Sequence, residues 1–120
     1  MKFLIADDKR IIGDLFELVL KNSGHEVTVV RTGKDALDEI RNDHYDMAFM
    51  DIIMPEYDGV EALEEIRKLN PGLPIVMMTG YTVQEKRERI RELGALKCMD
   101  KPFEMQDVRK AVKEALGVDI

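Results

Sequence analysis

Met47-Ala48-Phe49-Met50-Asp51-Ile52-Ile53-Met54-Pro55 is a short apolar run that meets one carboxylate and then breaks at a proline. A run of this length reads as a buried strand, with Asp51 where the strand surfaces. Charged side chains are rarely buried alone, so this acid is paired, metal-bound or at a strand's open end. Near the N-terminus Phe3-Leu4-Ile5-Ala6 runs into Asp7-Asp8 in the same way. Two strands therefore deliver three carboxylates, and if the strands are neighbours the acids converge.

The chain has 120 residues, enough for one domain with a real core and too few for two. Its 45% hydrophobic and 35% charged residues describe a globular chain rather than a disordered one. A net charge of −6 argues against a nucleic-acid backbone as the main partner. Lys86, Arg87, Arg89 and Arg91 cluster, but Glu85, Glu88 and Glu92 are interleaved at helical spacing, which predicts a solvated, salt-bridged face. The single Cys98 makes no internal disulfide, as suits a reducing cytoplasm. No apolar run approaches membrane-spanning length, and the opening segment is too short for a signal sequence, so no membrane partner is expected.

Strand and helix patterns alternate along the chain. Residues Phe3 to Ala6 form a first strand, and Lys9 to Ser23 a helix that Gly24 can end in a left-handed cap. At about 100° per residue, Ile12, Leu15, Phe16 and Val19 make its core-facing stripe. Ile11 and Leu18 fall beside that stripe, either as an exposed apolar flank near the acids or under neighbouring loops. Val27 to Val30, alternating with Glu26 and Thr28, reads as a less buried edge strand. Thr32-Gly33-Lys34-Asp35 caps a helix that turns Ala36, Leu37 and Ile40 inward. Asp58-Gly59-Val60-Glu61 caps the next, whose stripe is Val60, Leu63, Ile66 and Leu69. Leu73 to Met78 is a fourth strand, with Pro74 near its start. Thr82-Val83-Gln84-Glu85 is a capping box for a helix to Leu93, held only by Val83, Ile90 and Leu93 and so the most loosely packed. Leu96 to Met99 is the fifth strand, and Glu104 to Leu116 the last helix, with Val108, Ala111, Val112, Ala115 and Leu116 inward.

Five strands alternating with five helices require a mainly parallel sheet covered on both faces, because crossovers are right-handed. Such sheets bind ligands beyond the carboxyl ends of their strands. The polar residues obey that rule: Asp7 and Asp8 follow strand one, Asp51 strand three, Thr79 strand four and Lys101 strand five. Core packing asks for none of them. Two like charges about 4 Å apart repel by roughly 4 kcal/mol at an effective dielectric near 20, so three acids together need a cation. Mg²⁺, which takes one or two carboxylates plus waters and phosphate oxygens, suits the set. The chemistry this set suits is phosphoryl transfer to a carboxylate, with Asp51 expected as nucleophile and Lys101 and the Thr79 hydroxyl on phosphoryl oxygens.

With these residues in this order, the chain resembles the response-regulator receiver domains of two-component signalling, over essentially its whole length. The resemblance rests on Asp7-Asp8, on Asp51 through Gly59 (Asp-Ile-Ile-Met-Pro-Glu-Tyr-Asp-Gly), on Thr79-Gly80 and on Lys101-Pro102-Phe103. It implies a flavodoxin-like α/β fold, a five-stranded parallel sheet in the order 2-1-3-4-5, in a single receiver domain spanning residues 1–120. It also implies phosphorylation of Asp51 by a sensor histidine kinase or histidine phosphotransfer protein. Mg²⁺ would be held by Asp8, Asp51 and the Ile53 carbonyl, with Asp7 helping through water, and the Lys101-Pro102 bond would be cis. The implied role is a cytoplasmic phosphorelay intermediate or switch that passes its state to a downstream protein. The alternative is a phospho-form that binds an effector directly, as in chemotaxis. Either would autocatalyse its own phosphorylation and dephosphorylation without turning over an external substrate.

The family usually carries Tyr or Phe three residues before the lysine, where this chain has Cys98. The thiol reads as strand packing, and signalling is expected to rely less on the face of the fourth helix, fifth strand and fifth helix. His25 and His44 read as surface histidines, and Met47, Met50, Met77 and Met78 as core. Ile53 and Tyr81 are placed to shade the phosphoryl group from water, which predicts slow self-dephosphorylation. A haloacid-dehalogenase-like phosphatase fits poorly, since it needs an acid where Ile53 stands. A flavin carrier would need a phosphate loop where Asp7-Asp8 would repel phosphate.

Overall fold

Three apolar runs form the middle of a parallel sheet: β1 (Lys2–Ala6), β3 (Met47–Asp51) and β4 (Ile75–Thr79). β2 (Glu26–Val30) and β5 (Lys97–Asp100) are the half-buried edges, and the order is β2-β1-β3-β4-β5 with every neighbouring pair parallel. This is the expected architecture. The computed structural model describes residues 1–80 and 84–120, the side chains of 84 and 85 excepted. The expected capping box at 82–85, the Val83 anchor and the shading by Tyr81 therefore fall outside the described residues.

Alternate residues of the central strands feed two separate cores. Leu4, Ala6, Ala48, Met50, Ile75 and Met77 face α2 (Gly33–Asn42), α3 (Gly59–Leu69) and α4 (Gln84–Glu92). Phe3, Ile5, Met47, Phe49, Val76 and Met78 face α1 (Arg10–Asn22) and α5 (Met105–Leu116). Strands buried on both faces must be apolar throughout, which is why their sequences run rather than alternate. Each large side chain so buried contributes roughly 1.5–3 kcal/mol. Phe16 on α1 joins its helix to the sheet through Phe49, 4.8 Å away between ring centroids.

Helix ends follow their local sequences. The Thr32 hydroxyl accepts from the Asp35 amide and the Asp58 carboxylate from the Val60 amide, so both expected caps form. Gly24 takes the left-handed conformation (φ 84°) that ends α1. A two-way cap between Glu104 and Asp107 opens α5.

Several boundaries and stripes differ from the sequence reading. β4 begins after Pro74, whose missing N–H keeps it out of the ladder while its carbonyl accepts from the Ala48 amide. β5 is shifted by one residue, leaving Leu96 exposed. In α3 Ala62 is buried with Leu63 and Ile66, while Leu69, the last residue of the helix, points to solvent beyond the covered sheet. In α1 the fully buried positions are Gly13, Phe16 and Leu20, while Ile12, Leu15 and Val19 flank them. Gly13 sits so close to β2 that a Cβ would lie 2.8 Å from Val29 Cγ1, so the buried face of α1 includes a residue with no side chain to mark it in the sequence. Ile11 and Leu18 are uncovered, 75% and 61% exposed.

Among the described residues, the cations of α4 reach acids on other elements as well as one on their own helix. Lys86 pairs with Asp58 (2.6 Å), Arg87 with Asp100, and Arg89 with Glu64 (2.8 Å) as well as with Glu92. The helix lies between α3 and the end of β5, which bring Asp58, Glu64 and Asp100 within reach. Its buried anchor is Ile90. Arg67 fixes the far end, donating to the carbonyls of Leu93 and Gly94 after α4 and of Leu73 before β4. No helix among the described residues is long and apolar enough to cross a membrane.

Candidate phosphoryl-acceptor site

Adjacent strands β1 and β3 end level with each other, pairing Ala6 with Met50, so the residues that follow emerge side by side. Asp7, Asp8 and Asp51 thus bring carboxylate oxygens within 4.8 Å of one another. Asp7 and Asp51 are buried, and Asp8 faces solvent. Thr79, at the end of β4, is buried beside them, and its carbonyl accepts from the Lys101 amide (2.6 Å). The Lys101-Pro102 peptide is cis, as expected.

Lys101 holds the two buried acids. Its Nζ lies 2.7 Å from Asp7 Oδ2 and 3.0 Å from Asp51 Oδ2. The other oxygen of each acid is tied to backbone, Asp7 Oδ1 accepting from the Lys9 amide (2.8 Å) and Asp51 Oδ1 from the Ile53 amide (3.3 Å). Burial raises the Asp51 carboxyl above the ordinary aspartate range, and the Asp7 charge adds to it against the opposing Lys101 bond. Burial alone would lower Lys101, but its bonds to Asp7 and Asp51 outweigh that and hold its ammonium above the usual lysine value.

Gly59 closes the loop after Asp51. Its amide donates to the Ile52 carbonyl (2.8 Å), and a Cβ there would stand 2.1 Å from the Asp51 carbonyl oxygen. Only glycine admits that approach. Glu56 in the same loop has φ 67°, a left-handed conformation uncommon for a side chain of its kind. Ile53 projects from the loop, half exposed, over a cleft of about 540 Å³ lined also by Lys9, Asp51, Gly80, Lys101 and Phe103.

Asp7, Asp8, Asp51, Ile53 and Lys101 lie at this one rim, and Thr79 stands there at the end of the adjoining β4, its carbonyl bonded to the Lys101 amide. Cys98 does not; it is half-buried on β5 against the first core, and burial raises its thiol. Lys9 is the residue missed. Its ammonium lies 3.8 Å from Asp8 and 3.9 Å from Asp51. The available signal was a helix start without a capping side chain.

The donor set fits a hard divalent cation. Three carboxylates face two ammoniums, leaving net negative charge, and the exposed Asp8 gives the ion a solvated side from which to enter. Asp7 is engaged by Lys101 and the Lys9 amide, which suits a supporting place more than a direct ligand.

Comparison with known proteins agrees. The chain is 30% identical over 95% of its length to the transcriptional regulatory protein ZraR of Escherichia coli K12, and spans about a quarter (26%) of that protein. It is 31% identical to sporulation initiation phosphotransferase F of Bacillus subtilis, covering 96% of this chain and 93% of the relative. A CheY-like receiver domain from Methanospirillum hungatei superimposes with a TM-score of 0.93 at 34% identity, covering 97% and 93% of the two chains. The receiver domain of the Pseudomonas aeruginosa sensor kinase PA1611 superimposes at 0.86 and 27% identity, over 98% of each, and holds a magnesium ion in its active-site cleft. The response regulator receiver domain model matches residues 3–113. Sheet order, acid cluster and near-complete match converge on one conclusion: the chain belongs to the response regulator receiver domain family.

Proposed function

We propose that this chain accepts one phosphoryl group on Asp51 from a phosphohistidine and acts as a relay intermediate or switch. The observation that carries the reading is the Asp51 carboxylate, buried at the end of β3 yet open to the cleft, held by Lys101 and flanked by Asp7 and Asp8. An Asp51 oxygen attacks phosphorus as the donor's phosphorus–nitrogen bond breaks; the nitrogen keeps the bonding pair, and the released imidazole takes a proton from solvent. Lys101, already against Asp51, meets the negative charge that arrives with the phosphoryl oxygens, and the neighbouring Thr79 hydroxyl serves another oxygen. Asp8, Asp51 and the Ile53 carbonyl would hold Mg²⁺, which when bound would supply neutralising positive charge at the acceptor. Asp7 keeps Lys101 in place through their 2.7 Å contact. Hydrolysis returns the aspartate and releases phosphate, so the chain catalyses its own modification and turns over no other substrate.

Similarity to sporulation initiation phosphotransferase F over nearly the whole of both chains supports the relay role and a kinase or phosphotransfer protein as donor. Exposed Ile53 at the cleft, with exposed Ile11 and Leu18 further along α1, offers a protein donor apolar surface. The test is incubation with acetyl phosphate and Mg²⁺ followed by mass measurement. The wild type should gain one hydroxylamine-labile phosphoryl group and Asp51→Asn none; a stable adduct, or one that survives in Asp51→Asn, would refute the assignment.

A further inference from the structure

Lys9 breaks a local rule. It precedes α1 with extended backbone (φ −87°, ψ 114°), at the position where Ser, Thr, Asp or Asn would cap the first turn, and it makes no capping bond. No acid occupies that first turn either. Departures from local preference gather at functional positions. Here the Lys9 amide is fixed by Asp7, and the side chain lies back over the acids, 3.8 Å from Asp8 Oδ1 and 3.9 Å from Asp51 Oδ2. Lys101 grips the same cluster from inside, with a side chain only 12% exposed; that of Lys9 is 60% exposed, at the mouth of the cleft.

The two ammoniums therefore differ in kind. Lys101 makes hydrogen bonds, whereas the Lys9 distances exceed the usual 2.7–3.2 Å and leave its ammonium free to change partners. Resting on Asp51 as the phosphoryl acceptor, we propose that Lys9 is an exchangeable countercation. It stands between Asp8 and Asp51 until Mg²⁺ takes that pair, and then turns to the oxygens of the arriving phosphoryl group. Lys9 thus has opposite effects on two steps: it weakens metal binding and, by meeting the phosphoryl oxygens, speeds phosphoryl arrival.

Calorimetric titration of Mg²⁺ into metal-free wild type, Lys9→Met and Lys9→Arg separates these effects. Exposed ion pairs are individually weak, so Lys9→Met should bind Mg²⁺ about three- to tenfold tighter, with Lys9→Arg close to wild type. A merely structural residue would not tighten metal binding when removed. At saturating Mg²⁺, phosphorylation of Lys9→Met by acetyl phosphate should slow several-fold at low ionic strength, and high salt should close the gap. Mg²⁺ affinity unchanged or weakened in Lys9→Met would overturn the proposal, as would an undiminished phosphorylation rate. A wild type that takes no phosphoryl group would overturn the acceptor reading instead, so the two failures are read from different measurements.

Discussion

Replacing Lys101 by methionine should destabilise the metal-free protein, by an amount that can be worked from its surroundings. The side chains of Asp7 and Asp51 are 0% and 4% exposed, and Lys101 is the ammonium bonded to both. Two carboxylates near 4 Å repel by roughly 4 kcal/mol at an effective dielectric near 20. Removing one partner from a buried ion pair costs about 3–5 kcal/mol. Protonation limits the loss, because burial already raises Asp51 and a deprived carboxyl takes a proton more readily. A loss of about 3 kcal/mol at pH 7 in chelator follows, or roughly 10 °C in Tm for a domain of this size. The pH dependence has a definite sign. A carboxyl raised above the ordinary 3.8 stabilises the fold fully below that value, and the contribution is lost as pH rises through its own folded value. Lys101, raised above 10.5, contributes below that value and ceases to as pH rises through its folded value. The gap between wild type and variant should therefore be widest near neutrality and narrow toward both acid and strong alkali. Asp51→Asn supplies the opposite sign, leaving Asp7 and Lys101 paired one to one and raising stability at pH 7. Urea unfolding followed by far-UV circular dichroism measures both, the chain having no tryptophan. A Lys101→Met loss under about 1 kcal/mol, or a gap that widens toward acid, would refute the reasoning.

Asp8 is 36% exposed, so its repulsion is screened; Asp8→Ala should raise Tm in chelator by only about 1–2 °C while abolishing the gain from Mg²⁺, and a lower Tm in chelator would contradict the repulsion. Gly59→Ala forces a methyl against the Asp51 carbonyl oxygen and Ile52 backbone, and should cost about 3 kcal/mol; a variant melting within about 2 °C of wild type would show that the loop yields freely. Ile53→Asn replaces an apolar cover at the cleft with a group that can hold water, and should shorten the phosphoryl half-life several-fold; an unchanged half-life, followed by loss of the adduct mass, would remove Ile53 from control of hydrolysis.

Much of the site was legible because each of its residues stands just past an apolar run. A run that must be buried on both faces announces a central strand, and the first polar residue after it announces the rim. Asp7, Asp51 and Thr79 could be assigned on that basis, and Lys101 as the residue after the less buried β5, while the strand order and the metal ligands came with the family resemblance. The helix faces were less legible. Leu69 and Ala62 exchanged roles in α3, and the core stripe of α1 lies toward Gly13, because the buried face of a helix depends on neighbours such as Val29 against Gly13 that the helix's own sequence does not show. Of the α4 cations read as pairing along their own helix, Arg89 does pair with Glu92, but Lys86, Arg87 and Arg89 also found acids on the cap of α3, on β5 and on α3, distant in sequence and near in space.

By itself the sequence determined the alternation of elements, the buried strands, the helix caps at Thr32 and Asp58, and which acids stand at strand ends. All of these depend on neighbours a few residues away. Only the tertiary structure decided that Lys101 bridges Asp7 and Asp51, that Asp8 remains open to solvent, and that Lys9 gives up a capping role to lie over the acids. Charges interact through the distances and burial that folding creates, and those cannot be counted along a chain.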